Sequence, residues 1–174
     1  GKDRRRAKGD YYLSEREQED ILYLNHKNLP LILILNSGGP VELTDILEEA
    51  SNIKAILTIS QPGQEGGHAV ADVLFGKTSP GGRLTSTWAR RYEDYPYSEA
   101  YSYLNGNLEK EEYKEGIYVG YRYFDSIGIE PLFTFGYGLS YTTFTTEYKD
   151  LRITEQGFEV SVVVQNSGEM YEAR

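Results

Sequence analysis

Apolar positions change period along this chain. Over residues 14–28 they recur at helical spacing: Ile21, Leu22 and Leu24 form one face, Ser14 stands as an N-cap, and Glu17 completes a capping box. The helix is expected to stop near 25–28. Leu31–Leu35 (LILIL) then runs apolar without alternation, as a strand buried on both faces of a parallel sheet does. Residues 36–40 (NSGGP) break it. Thr44 is the expected N-cap of a helix carrying Ile46, Leu47 and Ala50. A second buried strand is expected over 53–59 and a break over 62–67. Ala69, Val70, Val73 and Leu74 set a third helical stripe, which Gly76 closes. Residues 82–88 (GRLTSTW) read as a strand ending at Trp88, which is expected to pack in a core or against a neighbouring domain.

The order helix, strand, helix, strand, helix predicts an α/β fold with a parallel sheet and right-handed crossovers. Every strand-to-helix loop then lies at the carboxyl edge of the sheet, where open α/β sheets bind ligands. Loops 36–43 and 60–67 are expected to be neighbours there, joined by loop 1–13 if a strand precedes it. Two strands are few for such a sheet, whose usual size is about 4–6. The chain therefore reads as lacking front strands. Segments 144–152 and 158–164 alternate or are β-branched, with Gln156 and Gly157 as a turn. They read as the opening strands of an incomplete β-sandwich. Unpaired edges there predict a tail that is disordered, adds to another part of the chain, or pairs with a second copy.

Composition narrows the chemistry. No cysteine and only two histidines, His26 and His68, exclude disulfides, thiolate nucleophiles and histidine-rich metal sites. Acid–base work would fall to the 27 Asp and Glu or to tyrosine. A net charge of -9 argues against nucleic acid as the main partner. No apolar run approaches the roughly 18 residues of a membrane span. Five of the 18 Lys and Arg fall in the first eight residues, read as a solvated basic run rather than a phosphate site. Eleven of the 16 tyrosines lie between Tyr92 and Tyr141. Packing over the outside of a core is the preferred reading of that segment; a protein or sugar interface is the alternative.

Within PGQEGGHAVADVL (62–74), Gly63, Gly66 and Gly67 are expected to permit a tight turn. Glu65 is expected to accept backbone amides and complement the helix dipole. Asp72 reads as solvated, and His68 as a surface or capping residue. The stretch lacks the Gly-Lys-Ser/Thr ending of a phosphate loop.

Five blocks in order carry a resemblance: GKDRRRAKGDYYLS (1–14), PGQEGGHAVADVLFGKTSPGGRLTSTW (62–88), YEDYP (92–96), EGIYVGYRYFD (115–125) and PLFTFGYGLSYTTF (131–144). Together they resemble glycoside hydrolase family 3, the β-glucosidase and β-xylosidase family. The resemblance implies a three-layer α/β sandwich over 1–90, with its front strand or strands missing. It implies a tyrosine-rich linker and docking segment over 91–143, and the first strands of a fibronectin-III-like domain over 144–174. It also implies a preceding TIM-like barrel that carries the nucleophilic aspartate. In similar members the acid/base glutamate lies in a Gly-Glu-Gly-x-Asp-Arg motif, whose last four positions match Gly1, Lys2, Asp3 and Arg4. That glutamate is expected immediately before Gly1, so no catalytic residue is expected in this chain. Lys2, Asp3 and Arg4 become residues of an active-site rim. The implied reaction is retaining hydrolysis of terminal β-linked glucosides or xylosides, without cofactor or metal. The chain alone is expected to be inactive. The rival readings are a free-standing sugar-binding module and a complementing subunit of a split enzyme.

Overall fold

A computed structural model describes residues 5–100, 109, 110 and 112–170. The chain divides into two compact units that interleave in sequence: Gly1–Gly63 with Leu84–Tyr137, and Gln64–Arg83 with Gly138–Arg174.

The first unit contains α1 (Glu15–His26), β1 (Leu31–Leu35), α2 (Thr44–Glu49), β2 (Ile53–Thr58), a short 3-10 turn (Tyr92–Asp94) and α4 (Tyr121–Ile127); α3 (Gly66–Leu74) belongs to the second unit. The capping box forms as the sequence predicts: Glu17 N–H donates to the Ser14 hydroxyl, and Ser14 N–H donates to the Glu17 carboxylate. Strands β1 and β2 pair in parallel, from Leu31 opposite Ile53 to Leu35 opposite Thr58. The core is Val41, Leu43, Ile46 and Trp88, covered by Ile21 and Leu22 of α1, Leu47 of α2, Leu35 of β1 and Ile56 of β2.

This core corrects several expectations. β1 is not buried on both faces: Ile32 and Ile34 are 53% and 44% exposed. Strand side chains alternate between faces, and only the set containing Leu35 meets the core. Leu24 is exposed as well. Helix α2 is six residues long, about 9 Å, and covers only part of the longer α1. Thr44 does not cap α2. Leu43 holds that position without a side-chain bond, while the Thr44 hydroxyl donates to Arg90 O at 2.6 Å. Thr44 is buried, and burial demands a partner for its hydroxyl. Nor do residues 82–88 form a continuous strand. Trp88 makes a single antiparallel bridge with Phe133, and backbone bonds link Leu84 to Gly136 and Tyr137. Gly136 sits at φ 78 between these contacts, and a left-handed residue interrupts a ladder.

In the second unit α3 spans Gly66–Leu74. Gly76 follows at φ 69 and donates to Val73 O, ending the helix as its sequence predicts. Ala69 and Leu74 of the predicted stripe are exposed, while Val70, Ala71 and Val73 are half-buried. Strands β3 (Phe144–Thr154) and β4 (Gly157–Asn166) pair antiparallel. A bulge at Lys149 interrupts the register. The extra residue keeps Tyr148, Leu151 and Ile153 on one face with Phe158, Val160 and Val162. Residues 144–166 thus form an ordered hairpin, the two strands paired along their facing edges across the turn at Glu155 and Gln156. The chain thus combines an α/β part built on a parallel sheet with a separate antiparallel sheet.

Candidate functional site

Three loops converge at the carboxyl edge of β1 and β2. Glu42 N–H donates to Tyr11 O at 3.1 Å, and Tyr12 bridges Glu42 in parallel, tying loop 5–13 to loop 36–43. Gln61 N–H donates to Asn36 Oδ1 at 3.1 Å, tying loop 36–43 to the start of the next loop. Lys2, Asp3 and Arg4 lie outside the described residues. The chain that follows them is held by one side chain. Arg6 Nε donates to the Tyr12 hydroxyl at 3.0 Å, its guanidinium pairs with Glu93 and with Glu99, and it stands 4.9 Å above the Tyr92 ring. Arg5 N–H donates to the Asp10 carboxylate at 2.7 Å and closes the loop on itself. The Tyr12 hydroxyl holds the Arg6 guanidinium above its ordinary pKa.

Behind this loop an aromatic stack runs inward. Tyr11 meets Tyr92 edge-on at 5.2 Å, Tyr92 meets Tyr95 at 6.4 Å, and Tyr95 meets Phe124 at 5.9 Å. Burial pushes the Tyr11 phenol well above its ordinary pKa, with Tyr95 and Glu42 adding to the effect. Glu42 anchors the other side: its carboxylate accepts Tyr92 N–H at 2.8 Å and Arg91 at 3.5 Å. Arg91 also grips Asp45 at 2.6 Å and holds that carboxyl below its usual range. Lys8, Gln18, Glu42, Asp45 and Arg91 line a shallow cavity of about 390 Å³ beside these contacts.

The glycine-rich stretch behaves differently from its reading. None of Gly63, Gly66 and Gly67 has a positive φ; the left-handed positions are Ser60 at φ 42 and Gln61 at φ 59. The turn is made before the glycines, where Gln61 reaches Asn36. Gly66 is buried in the first turn of α3. Glu65 occupies the N-cap but its side chain makes no cap bond; its carboxylate meets His68 Nδ1 at 2.7 Å instead. Both side chains are exposed, and a partner one turn away competes with the amides. Asp72 is not simply solvated, since Lys77 pairs with it at 3.0 Å. Trp88 is 3% exposed and central to the core. Among the described residues no group of three His, Asp or Glu is arranged to hold a metal ion. Nor is any helix there long and apolar enough to cross a membrane.

Sequence reasoning missed Arg6, Tyr12, Glu42 and Glu93 as one constellation. Its visible trace was the pairing of two blocks, KGDYYL and YEDYP, each rich in aromatic and charged residues.

Residues 1–121 match the model of the glycosyl hydrolase family 3 C-terminal domain. The chain belongs to glycosyl hydrolase family 3. Over 148 residues it is 43% identical to thermostable beta-glucosidase B of Acetivibrio thermocellus, covering 80% of this chain and 18% of that protein. Over 164 residues it is 39% identical to a beta-glucosidase of Rhizobium radiobacter, covering 92% of this chain and 20% of that one. Among solved structures it is similar to beta-glucosidase 3B of Thermotoga neapolitana in complex with glycerol. The TM-score is 0.80 at 41% identity, over 97% of this chain and 24% of that one. A beta-glucosidase of Paenibacillus barengoltzii aligns with a TM-score of 0.85 at 35% identity, over 96% and 18%. This family 3 chain thus spans about a fifth of the length of the curated relatives it matches.

Proposed function

We propose that this chain serves a retaining β-glucosidase, as the part that stiffens the acid/base loop at the mouth of a barrel carrying the nucleophile. The observation that carries the reading is the Arg6 clamp on the chain just after Lys2, Asp3 and Arg4. In a retaining hydrolase one carboxylate attacks the anomeric carbon while the other protonates the leaving oxygen and later activates water. The two stand roughly 5–5.5 Å apart. A loop that delivers one of them across a domain boundary must therefore hold its place, because misplacement of about 1 Å costs on the order of 100-fold in rate. In this reading the acid/base glutamate precedes Gly1 and the three following residues form the rim. Gly63, Glu65, Gly66 and Gly67 take no part in the chemistry in this reading. The division at 90 and 143 belongs to the same reading. A terminal β-linked glucoside or xyloside is the substrate of the whole enzyme, supported by the likeness to a Thermotoga neapolitana beta-glucosidase solved in complex with glucose.

A chimera tests the proposal. The chain replaces the corresponding segment of the Thermotoga neapolitana enzyme, leaving that enzyme's barrel and acid/base glutamate in place. The chimera is expected to hydrolyse aryl-β-glucosides, and the isolated chain is expected to be inert. A folded chimera without turnover, or turnover by the chain free of any barrel, overturns the reading.

A further inference from the structure

Glu42 holds two segments of the first unit at once. Its neighbours Val41 and Leu43 belong to the core, so the backbone between them is fixed from below. On one side the Glu42 N–H donates to Tyr11 O at 3.1 Å, and Tyr12 bridges the residue in parallel. On the other side its carboxylate accepts Tyr92 N–H at 2.8 Å. The side chain is only 10% exposed. A carboxylate drawn so far out of water is costly unless hydrogen bonds replace its hydration.

Distances decide which of its bonds matters most. The Arg91 guanidinium stands 3.5 Å from Glu42 but 2.6 Å from Asp45, so Arg91 belongs chiefly to Asp45. The bond from Tyr92 N–H is short and charge-assisted, roughly twice as strong as a neutral one. Tyr92 is buried, its ring edge-on to Tyr11 at 5.2 Å and 4.9 Å beneath the Arg6 guanidinium. That ring is the floor on which loop 5–13 rests. Arg6 closes the loop from the solvent side, through exposed partners. Glu42 holds it from within, once through Tyr11 O and once through the floor.

We propose that Glu42 is a positioning residue for the acid/base glutamate: its carboxylate fixes Tyr92 by the backbone N–H, and Tyr92 fixes the loop that delivers the glutamate. The inference rests on the reading of this chain as part of a retaining β-glucosidase. Glu42 moves no proton itself.

Two variants test the bond. Glu42→Gln keeps an oxygen for Tyr92 N–H, and Glu42→Ala keeps none. In the 174-residue chain, Glu42→Ala is expected to speed hydrogen exchange at the Tyr11 and Tyr12 amides by about tenfold, and Glu42→Gln to stay within about threefold of the parent. In the chimera with the Thermotoga neapolitana barrel, kcat/KM is compared on phenyl and 2,4-dinitrophenyl β-glucosides. Phenol leaves poorly without a proton, whereas dinitrophenolate leaves without one, so only the first substrate depends on a well-placed general acid. Glu42→Ala is expected to lose about 100-fold on the phenyl glucoside and less than about tenfold on the dinitrophenyl one, with most of the loss recovered in Glu42→Gln. Glu48→Ala, at an exposed position of α2, is expected to match the parent on both. An equal loss on the two substrates marks a purely structural role and overturns the proposal. So does unchanged exchange in Glu42→Ala, or a Glu42→Gln variant as impaired as Glu42→Ala. A parent chimera without turnover overturns the function assigned to the chain rather than the hold of Glu42 on the loop, which the exchange measurement then decides.

Discussion

Arg6 and Tyr12 close the loop at the sheet edge: the guanidinium donates to the phenol at 3.0 Å while its other nitrogens meet Glu93 and Glu99. Each contact is exposed, and a single exposed ion pair contributes little. Their value is geometric, because one planar donor fork fixes several partners at once. Arg6→Ala is expected to speed hydrogen exchange at the Tyr11 and Tyr12 amides by about tenfold without changing that of α1. Arg6→Lys is not expected to restore protection, since an ammonium lacks the fork. Equal exchange in parent and Arg6→Ala would show that the backbone bonds to Arg5 O and Ala7 O hold the loop unaided.

Trp88 joins the two halves of its unit in sequence, touching Val41, Leu43 and Ile46 from one half and bonding to Phe133 in the other. Trp88→Ala removes a buried ring whose place its neighbours cannot fill, a loss of about 3–5 kcal/mol. The melting midpoint is expected to fall by roughly 10 °C or more. A change of only a degree or two, read by circular dichroism, would mean that the core does not depend on this ring.

Glycine positions separate space from conformation. A Cβ on Gly138 would lie 2.7 Å from Gly82 O and 2.7 Å from Arg83 Cδ. The side chain can swing away, but the carbonyl is backbone. Gly138→Ala is therefore expected to destabilise by about 1–3 kcal/mol through overpacking. Gly63 has open space around it and no positive φ. Gly63→Ala is expected to be neutral or to stabilise by about 0.4–1 kcal/mol, through the unfolded chain. Chemical denaturation of the two variants checks both signs. The reverse order would mean that the turn at 62–67 depends on its glycines after all.

Much of this arrangement was legible in the chain. Ser14 and Glu17 announce α1 because a capping box is a local event. Periodicity located β1, β2 and the β3–β4 hairpin for the same reason. Thr44 misled because its hydroxyl found a carbonyl 46 residues away, which no local pattern encodes. Ile32 and Ile34 misled because an apolar run reports what a strand can bury, not what covers it. The Arg6 constellation stayed hidden because its partners lie about 90 residues on, and a basic run reads alike whether solvated or clasped. The family was visible in five spaced blocks, whereas the turn chemistry at Ser60 and Gln61 was not, since neither residue type is known for left-handed φ.

Tyr11 carries a pH dependence whose sign follows from its burial. The phenol is 7% exposed, and the charged form is the phenolate, so the folded state holds its pKa above the ordinary value near 10. Below pH about 10 both folded and unfolded chains keep the proton, and the contribution to stability is fully present. Above it the unfolded chain releases the proton while the folded chain does not, so stability falls as pH rises toward the folded pKa. The slope from one such group approaches about 1.36 kcal/mol per pH unit. Other tyrosines titrate in the same window, so the comparison must be with Tyr11→Phe. That variant is expected to be less stable at pH 7, because Tyr95 loses the hydroxyl beside it. Its stability is also expected to fall less steeply between pH 10 and 11, by about one proton's worth. Urea unfolding at several pH values measures both quantities. Parallel curves for parent and variant would show that Tyr11 ionises as easily in the folded chain as in water, contrary to its burial.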